Sequence, residues 1–315
     1  MLETDKRVKL HFLHQLSSYK KMERRSKYLL LSGVVSLLFS SLTLIGWFLV
    51  GEVILIVALG AMLGLLMVLQ IESHNRIQKA TQVLLQQQRL IVQQQKDTDK
   101  QVKQVGALVA IYSSLKINYP LPKMGGWAIS ADFARILIDL IFEKKPKLIL
   151  EASSGVSTLI ASYCLKQLGE GKVVSLEEDN NYAEISRNAL LEHGLNDVAT
   201  IFQSSLTEIE IEGKKWRWYD TSKIQGLKPI DLLIIDGPAQ YGREEDMIRY
   251  PALPLLLDSL SDNAVILLDD AERKDEAKIV DLWLKQFSGF DLEKIDTEKG
   301  TAILRRNKAV TIDKE

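Results

Sequence analysis

From residue 130 onward the sequence predicts a doubly wound α/β domain on a mostly parallel sheet. Three observations predict it. Short apolar runs alternate with amphipathic stretches of helical length, the pattern of strands joined by crossover helices. Four of the runs end in an acid: Glu151, Glu177, Asp236 and Asp269. The first is followed at once by a turn of small residues, Ala152-Ser153-Ser154-Gly155, that opens into a helical pattern. In such sheets ligands lie outside the carboxyl ends of the strands, where all four acids fall.

The elements follow in order. Residues 131–142 carry apolar side chains on one face of a helix. A buried strand is predicted over 147–150, a helix over 157–168, a strand over 172–176 and a helix over 182–193. A short strand is predicted over 199–202, and another over 230–235, wholly apolar from Leu232 onward and ending in Asp236. Residues 247–260 read as helical, bent or broken at Pro251 and Pro254. A strand over 264–268 ends in Asp269-Asp270, a helix follows over 275–287, and residues 290–294 and 301–305 read as a final strand pair.

Upstream, residues 28–50 are 23 positions without a charge and residues 53–71 another 19. Each stretch meets the roughly 20 residues a helix needs to cross a bilayer. Two transmembrane helices are predicted over 28–71, with the lipid bilayer as partner. A helical hairpin buried in a soluble protein is the rival reading. A cleaved signal peptide is disfavoured, because the apolar region is too long and a second one follows at once. Residues 1–27 hold eight Lys/Arg against three Asp/Glu. That bias predicts a cytoplasmic N-terminus, and two crossings return residues 72–315 to the same side.

Residues 72–118 read as a helical stalk. Ten Gln fall between Glu72 and Gln104, with no Pro or Gly. Ile77, Leu84, Ile91 and Val105 follow a seven-residue spacing, with Thr98 in the gap. A homodimer through a parallel coiled coil is the further possibility. The compact domain is expected over 119–306 and a polar tail over 307–315. Net charge is −1, so no global field favours nucleic acid, and none is expected as a partner. The one cysteine, Cys164, excludes an intramolecular disulfide and a cysteine-rich metal site.

With these residues in view, the region 119–306 resembles a class I S-adenosylmethionine-dependent methyltransferase, of the methyltransferase domain family 24 kind. The resemblance implies a Rossmann-like sheet and S-adenosyl-L-methionine as cofactor. It rests on seven segments in order. Glu151-Ala152-Ser153-Ser154-Gly155 is similar to the glycine-rich first motif, with Ser153 at its first glycine, and Gly155-Val156-Ser157-Thr158 continues it. Ser175-Leu176-Glu177-Glu178-Asp179 resembles the second motif. Gly125-Gly126-Trp127, Trp218-Tyr219-Asp220, Asp236-Gly237-Pro238, Arg249-Tyr250-Pro251 and Leu268-Asp269-Asp270 also fit.

By that resemblance Glu151, Ser153, Gly155, Ser157, Glu177, Ser204 and Asp236 bind the cofactor. Glu177 takes the ribose hydroxyls, and Glu178 is expected to point away. Asp236, Asp269 and Asp270 resemble the metal ligands of catechol-type O-methyltransferases, which implies Mg²⁺ as an optional cofactor. Asp236 is the first candidate for a general base and Asp270 the second, since no His lies near a motif. Arg249 and Arg273 lie near the same face and read as surface ion pairs, with binding of an acidic acceptor as the alternative. The implied function is methyl transfer to an oxygen of a small-molecule or membrane-associated acceptor, itself unidentified. The rival is a non-catalytic membrane scaffold with a degenerate methyltransferase fold. A nicotinamide-dependent dehydrogenase is disfavoured by the lack of a three-glycine loop.

Overall fold

The computed structural model of the chain describes residues 27–46, 52–239 and 247–307. The basic residues before Lys27, the turn at Gly51 and the tail beyond 307 lie outside the described residues. The chain divides into two compact units, Met1–Gln93 and Gln94–Glu315.

The first unit holds α1, Lys27–Gly46, and most of α2, Glu52–Ser114. Both helices are long and apolar enough to cross a membrane, by length and composition. The Gln-rich connector continues α2 without a break, so the stalk and the second apolar stretch are one helix of 63 residues.

The second unit starts earlier than the sequence suggests. Ala107, Ile111 and Leu115 are buried in its core. The Gln104 side chain accepts from the backbone N–H groups of Ala131 (2.9 Å) and Asp132 (3.2 Å). It thereby caps α3, Ala131–Lys144, a role that the residue before the helix, Ser130, leaves undone. The last turns of α2 therefore belong to the domain they lead into.

The remaining elements are β1 (Leu148–Ala152), α4 (Val156–Leu168), β2 (Lys172–Glu177), α5 (Asn180–Glu192), β3 (Ala199–Gln203), β4 (Leu206–Ile211), β5 (Lys214–Tyr219), β6 (Ile230–Ile235), α6 (Ala252–Leu256), β7 (Leu260–Leu268), α7 (Lys274–Gln286), β8 (Phe290–Ile295) and β9 (Thr301–Arg306). Seven strands form one sheet in the order β3-β2-β1-β6-β7-β9-β8. The first five in that order run parallel, and β9 is antiparallel to both its neighbours. The predicted α/β fold class is the observed one.

The core lies on both faces of this sheet, as strand periodicity requires. Ile149, Leu232, Ile234, Val265 and Leu267 pack on the face covered by α3, α4 and α5. Their neighbours Leu150, Leu233, Ile235, Ile266 and Leu268 pack on the other, with Trp218, Trp283 and Leu253. Central strands buried on both faces are continuously apolar, which is why they were legible.

One stretch carries strands where the sequence predicts none, and one expectation needs correction. The connector after β3 is a β-hairpin of β4 and β5, turning at Glu212 and Gly213, both at positive φ. Trp218 and Tyr219 lie on its second strand, fully buried. The helix expected over 247–260 is only α6 followed by a 3-10 turn, because the two prolines remove amide donors and β7 begins at Leu260.

Candidate active site

The acid ending β1 does not face the open end of the sheet. Glu151 is fully buried, and its Oε2 accepts from Thr158 Oγ1 (2.5 Å) and Ser175 Oγ (2.6 Å). Burial raises its pKa, against the Ser157, Ser175 and Thr158 hydroxyls that favour the charged form. Thr158 Oγ1 also accepts from the Gly155 N–H at 3.0 Å. Glu151 thus positions the turn through hydroxyls, and the buried Ser157 belongs to that same support.

The turn itself is held open. Ser153 sits at φ +102°, a conformation that suits glycine, and its N–H donates to the Leu176 carbonyl. Gly155 sits at φ +149°, and a Cβ added there would meet nothing within 4 Å. Backbone is therefore exposed where a ligand would approach.

Three successive acids after β2 do three different jobs. Glu177 Oε2 accepts from the N–H (3.1 Å) and hydroxyl (2.7 Å) of Ser154, and Oε1 from the Asp179 N–H (3.2 Å). Burial, with the Glu178 charge beside it, pushes the Glu177 carboxyl up to about 7 against the Ser154 hydrogen bond. Glu178 does not point away. It accepts from Tyr219 OH at 2.7 Å and from the Ala239 N–H at 3.0 Å. Asp179 caps α5 through the N–H groups of Asn181 and Tyr182.

Ser204 follows β3 as expected, but its buried hydroxyl donates to the Asp220 carbonyl at 2.7 Å. Its neighbour Ser205 is the exposed hydroxyl of the pair.

Past β6 the chain packs hard against the first turn. The N–H groups of Asp236 and Gly237 both donate to the Ala152 carbonyl, at 3.1 and 2.9 Å. A Cβ on Gly237 would fall 2.5 Å from Tyr219 OH and 2.9 Å from Ser153 Cβ, so only glycine fits. Asp236, Asp269 and Asp270 converge, with one carboxylate oxygen from each inside a 4.8 Å cluster. Asp236 keeps 12% of its side chain exposed, whereas Asp269 and Asp270 keep 0% and 2%.

Of the cations around this cluster, Arg273 makes the surface ion pair expected of it, whereas the burial of Arg249 and the role of Lys299 were not foreseen. Arg249 is buried and not at the surface. Its Nη2 donates to the Asp236 carbonyl (2.5 Å) and to Asp270 Oδ2 (3.0 Å), and Nη1 to the Asp269 carbonyl (3.1 Å). Nη1 also lies 3.7 Å from the buried Glu276. Burial works against the guanidinium charge, but Asp236, Asp270, Glu276 and Asp269 outweigh it and hold its pKa up. Arg273 reaches Asp270 Oδ2 at 2.9 Å from a half-exposed position. Lys299 Nζ lies 3.5 Å from Asp269 Oδ2 and donates to the Ala128 carbonyl at 2.9 Å. Burial and the neighbouring Asp270 raise the Asp269 carboxyl to about 6, against Lys299. Burial, then Asp269, raises Asp236 well above the carboxylate range, with Arg249 opposing.

The two expected groups fare differently. A nucleoside cofactor fits the first turn, where Gly155 leaves space and Glu177 Oε1 carries only one hydrogen bond. For a divalent ion the three carboxylates have the right hard oxygens. Each of them, however, is already matched to a buried or half-buried cation, and the residues do not fit the ion.

Residues 152–271 match the family model described as a methyltransferase domain. That span runs from the end of β1 to just past β7 and includes Glu177, Asp236, Asp269 and Asp270. No curated protein matches the chain. Among solved structures the chain is similar to the O-methyltransferase TomG from Streptomyces achromogenes in complex with SAM, at 15% identity and TM-score 0.43, over 57% of this chain and 82% of that one. It is similar to the SAH-bound Podospora anserina methyltransferase PaMTH1 at 18% identity and TM-score 0.42, over 64% and 88% of the two chains. A methyltransferase from Geobacter sulfurreducens matches at 17% identity and TM-score 0.42, over 64% and 90%. The family match and the sheet together support a class I methyltransferase fold for the second unit.

Proposed function

We propose that the second unit transfers a methyl group from S-adenosylmethionine to an oxygen of a small-molecule or membrane-associated acceptor. The observation that supports it most is the turn after β1. Ser153 holds a glycine's backbone conformation, Gly155 leaves open space, and Glu177 is tied to Ser154 directly beside them. A structural turn has no need of that strain.

The cofactor supplies an electrophilic methyl on a sulfonium, so the reaction needs alignment and removal of one proton. Glu177 would hold the ribose hydroxyls through the further acceptor position of Oε1. The backbone of residues 153–155 would hold the rest of the nucleoside. Asp236 is the member of the acid cluster open to solvent, which suits it to take the acceptor's hydroxyl proton. Asp270, bound by Arg249 and Arg273, serves as their counter-ion and not as a base. The oxygen then forms the new bond to carbon as the sulfur–carbon bond breaks. The two apolar helices support a membrane anchor, and the excess of Lys/Arg in residues 1–27 favours the domain on the cytoplasmic side. That anchor favours an acceptor at the bilayer.

The test is transfer of labelled methyl from S-adenosylmethionine by the full chain into a membrane extract. The expected result is a labelled acceptor, with turnover reduced about 10²–10⁴-fold in Asp236→Asn while S-adenosylhomocysteine still binds. Cofactor binding with no labelled product favours the scaffold reading. One observation supports that rival: Glu177 is only 5% exposed.

A further inference from the structure

At the ends of β6 and β7 the donors suggest a divalent cation, and the geometry gives its place to a side chain. A metal held by Asp236, Asp269 and Asp270 would join two strand ends and place positive charge among three buried acids. Arg249 already does both. Through Asp236 it holds the end of β6, by the carbonyl at 2.5 Å and the carboxylate at 3.7 Å. Through the Asp269 carbonyl (3.1 Å) and Asp270 Oδ2 (3.0 Å) it holds the end of β7. Glu276, from α7, closes the ring at 3.7 Å. Arg273 and Lys299 add two further cations, so three cations face four acids.

A dication entering here meets a buried guanidinium at close range, and the low local dielectric strengthens that repulsion. Arg249 cannot shed its charge to make room. Asp269 Oδ1 and Asp270 Oδ1 carry no hydrogen bond, but Lys299 Nζ stands 4.0 Å from the latter.

We propose that Arg249 is the resident cation of this cluster, standing in for the divalent ion that its three aspartates would otherwise bind. The proposal concerns ion occupancy and stands whether or not the domain transfers methyl groups.

The experiment is titration of the full chain with Mn²⁺, reading free Mn²⁺ by electron paramagnetic resonance and the thermal midpoint by tryptophan fluorescence. Wild type is expected to show no saturable site at millimolar Mn²⁺ and no change of midpoint with Mn²⁺ or a chelator. Arg249→Met is expected to gain a saturable site, at least about tenfold tighter than any wild-type binding, that Asp269→Asn removes. If Arg249→Met folds only when Mn²⁺ is present, the proposal is equally supported. A wild-type site lost in Asp269→Asn overturns it. So does an Arg249→Met variant that Mn²⁺ neither binds nor rescues.

Discussion

Buried carboxylates stand at two adjacent places on this sheet, and the chain stabilises them in opposite ways. At the ends of β1 and β2, Glu151 and Glu177 are held by serine and threonine hydroxyls and by backbone N–H groups, with no cation in contact. At the ends of β6 and β7, Asp236, Asp269 and Asp270 are held by Arg249, Arg273 and Lys299. Neutral donors leave an acid free to exchange a proton or accept a further hydrogen bond. Cations oppose the upward pKa shift that burial imposes on Asp236 and Asp269, and lock the strands beside them. The first arrangement suits a ligand site, and the second suits a frame with one open edge at Asp236.

Removing the central cation should break the comparison most visibly. Arg249→Met leaves four buried or half-buried acids short of their shared partner, and should cost about 3–5 kcal/mol. The check is the unfolding transition of the full chain followed by the buried Trp218 and Trp283.

The hydroxyl-held side should show itself in pH. Glu177 titrates near 4.5 when exposed and near 7 in the folded chain, so the folded state holds its proton more tightly. Stability should therefore fall as pH rises from about 4.5 to about 7, then level off, by on the order of 1–3 kcal/mol. The difference between wild type and Glu177→Gln across that range isolates this contribution from Asp269, which titrates near 6.

Two smaller changes sharpen the contrast. Ser153→Gly relieves a positive φ, and should stabilise the fold by about 1 kcal/mol after the extra freedom of glycine in the unfolded chain is set against it. Glu151→Gln replaces a carboxyl already pushed toward its neutral form, and should cost less than about 1 kcal/mol. Thermal midpoints of the purified full-length variants check both. A Glu151→Gln loss as large as that of Arg249→Met would erase the distinction between the two sides.

How much of this was legible follows from what each residue touches. Strands such as Leu232-Leu233-Ile234-Ile235 are apolar throughout because both faces are covered, and that reads directly from sequence. The hairpin of β4 and β5 was missed because its exposed positions carry Glu and Lys at alternate sites, which resembles a polar loop. Its signal was the Glu212-Gly213 turn between runs containing Trp216 and Trp218. Arg249 was placed at the surface because a buried arginine is rare and its partners come from three distant segments. The clue lay in its apolar setting, Met247-Ile248-Arg249-Tyr250, ahead of two strand-end acids. Alternation of side chains argued that Glu178 points away from the site, but that rule ends with the strand at Glu177. The Gln104 cap on α3 crosses 27 residues and leaves no local pattern.

The central claim is that the hydroxyl-held side is the cofactor site. Calorimetric titration of S-adenosylmethionine and S-adenosylhomocysteine into the full chain tests it most directly, with Glu177→Ala alongside. The account predicts saturable binding by wild type and a loss of about 1.5–3 kcal/mol, roughly 10–150-fold, in the variant. Equal affinity in the two proteins, or no binding by a wild-type chain whose tryptophans report a folded domain, would contradict it.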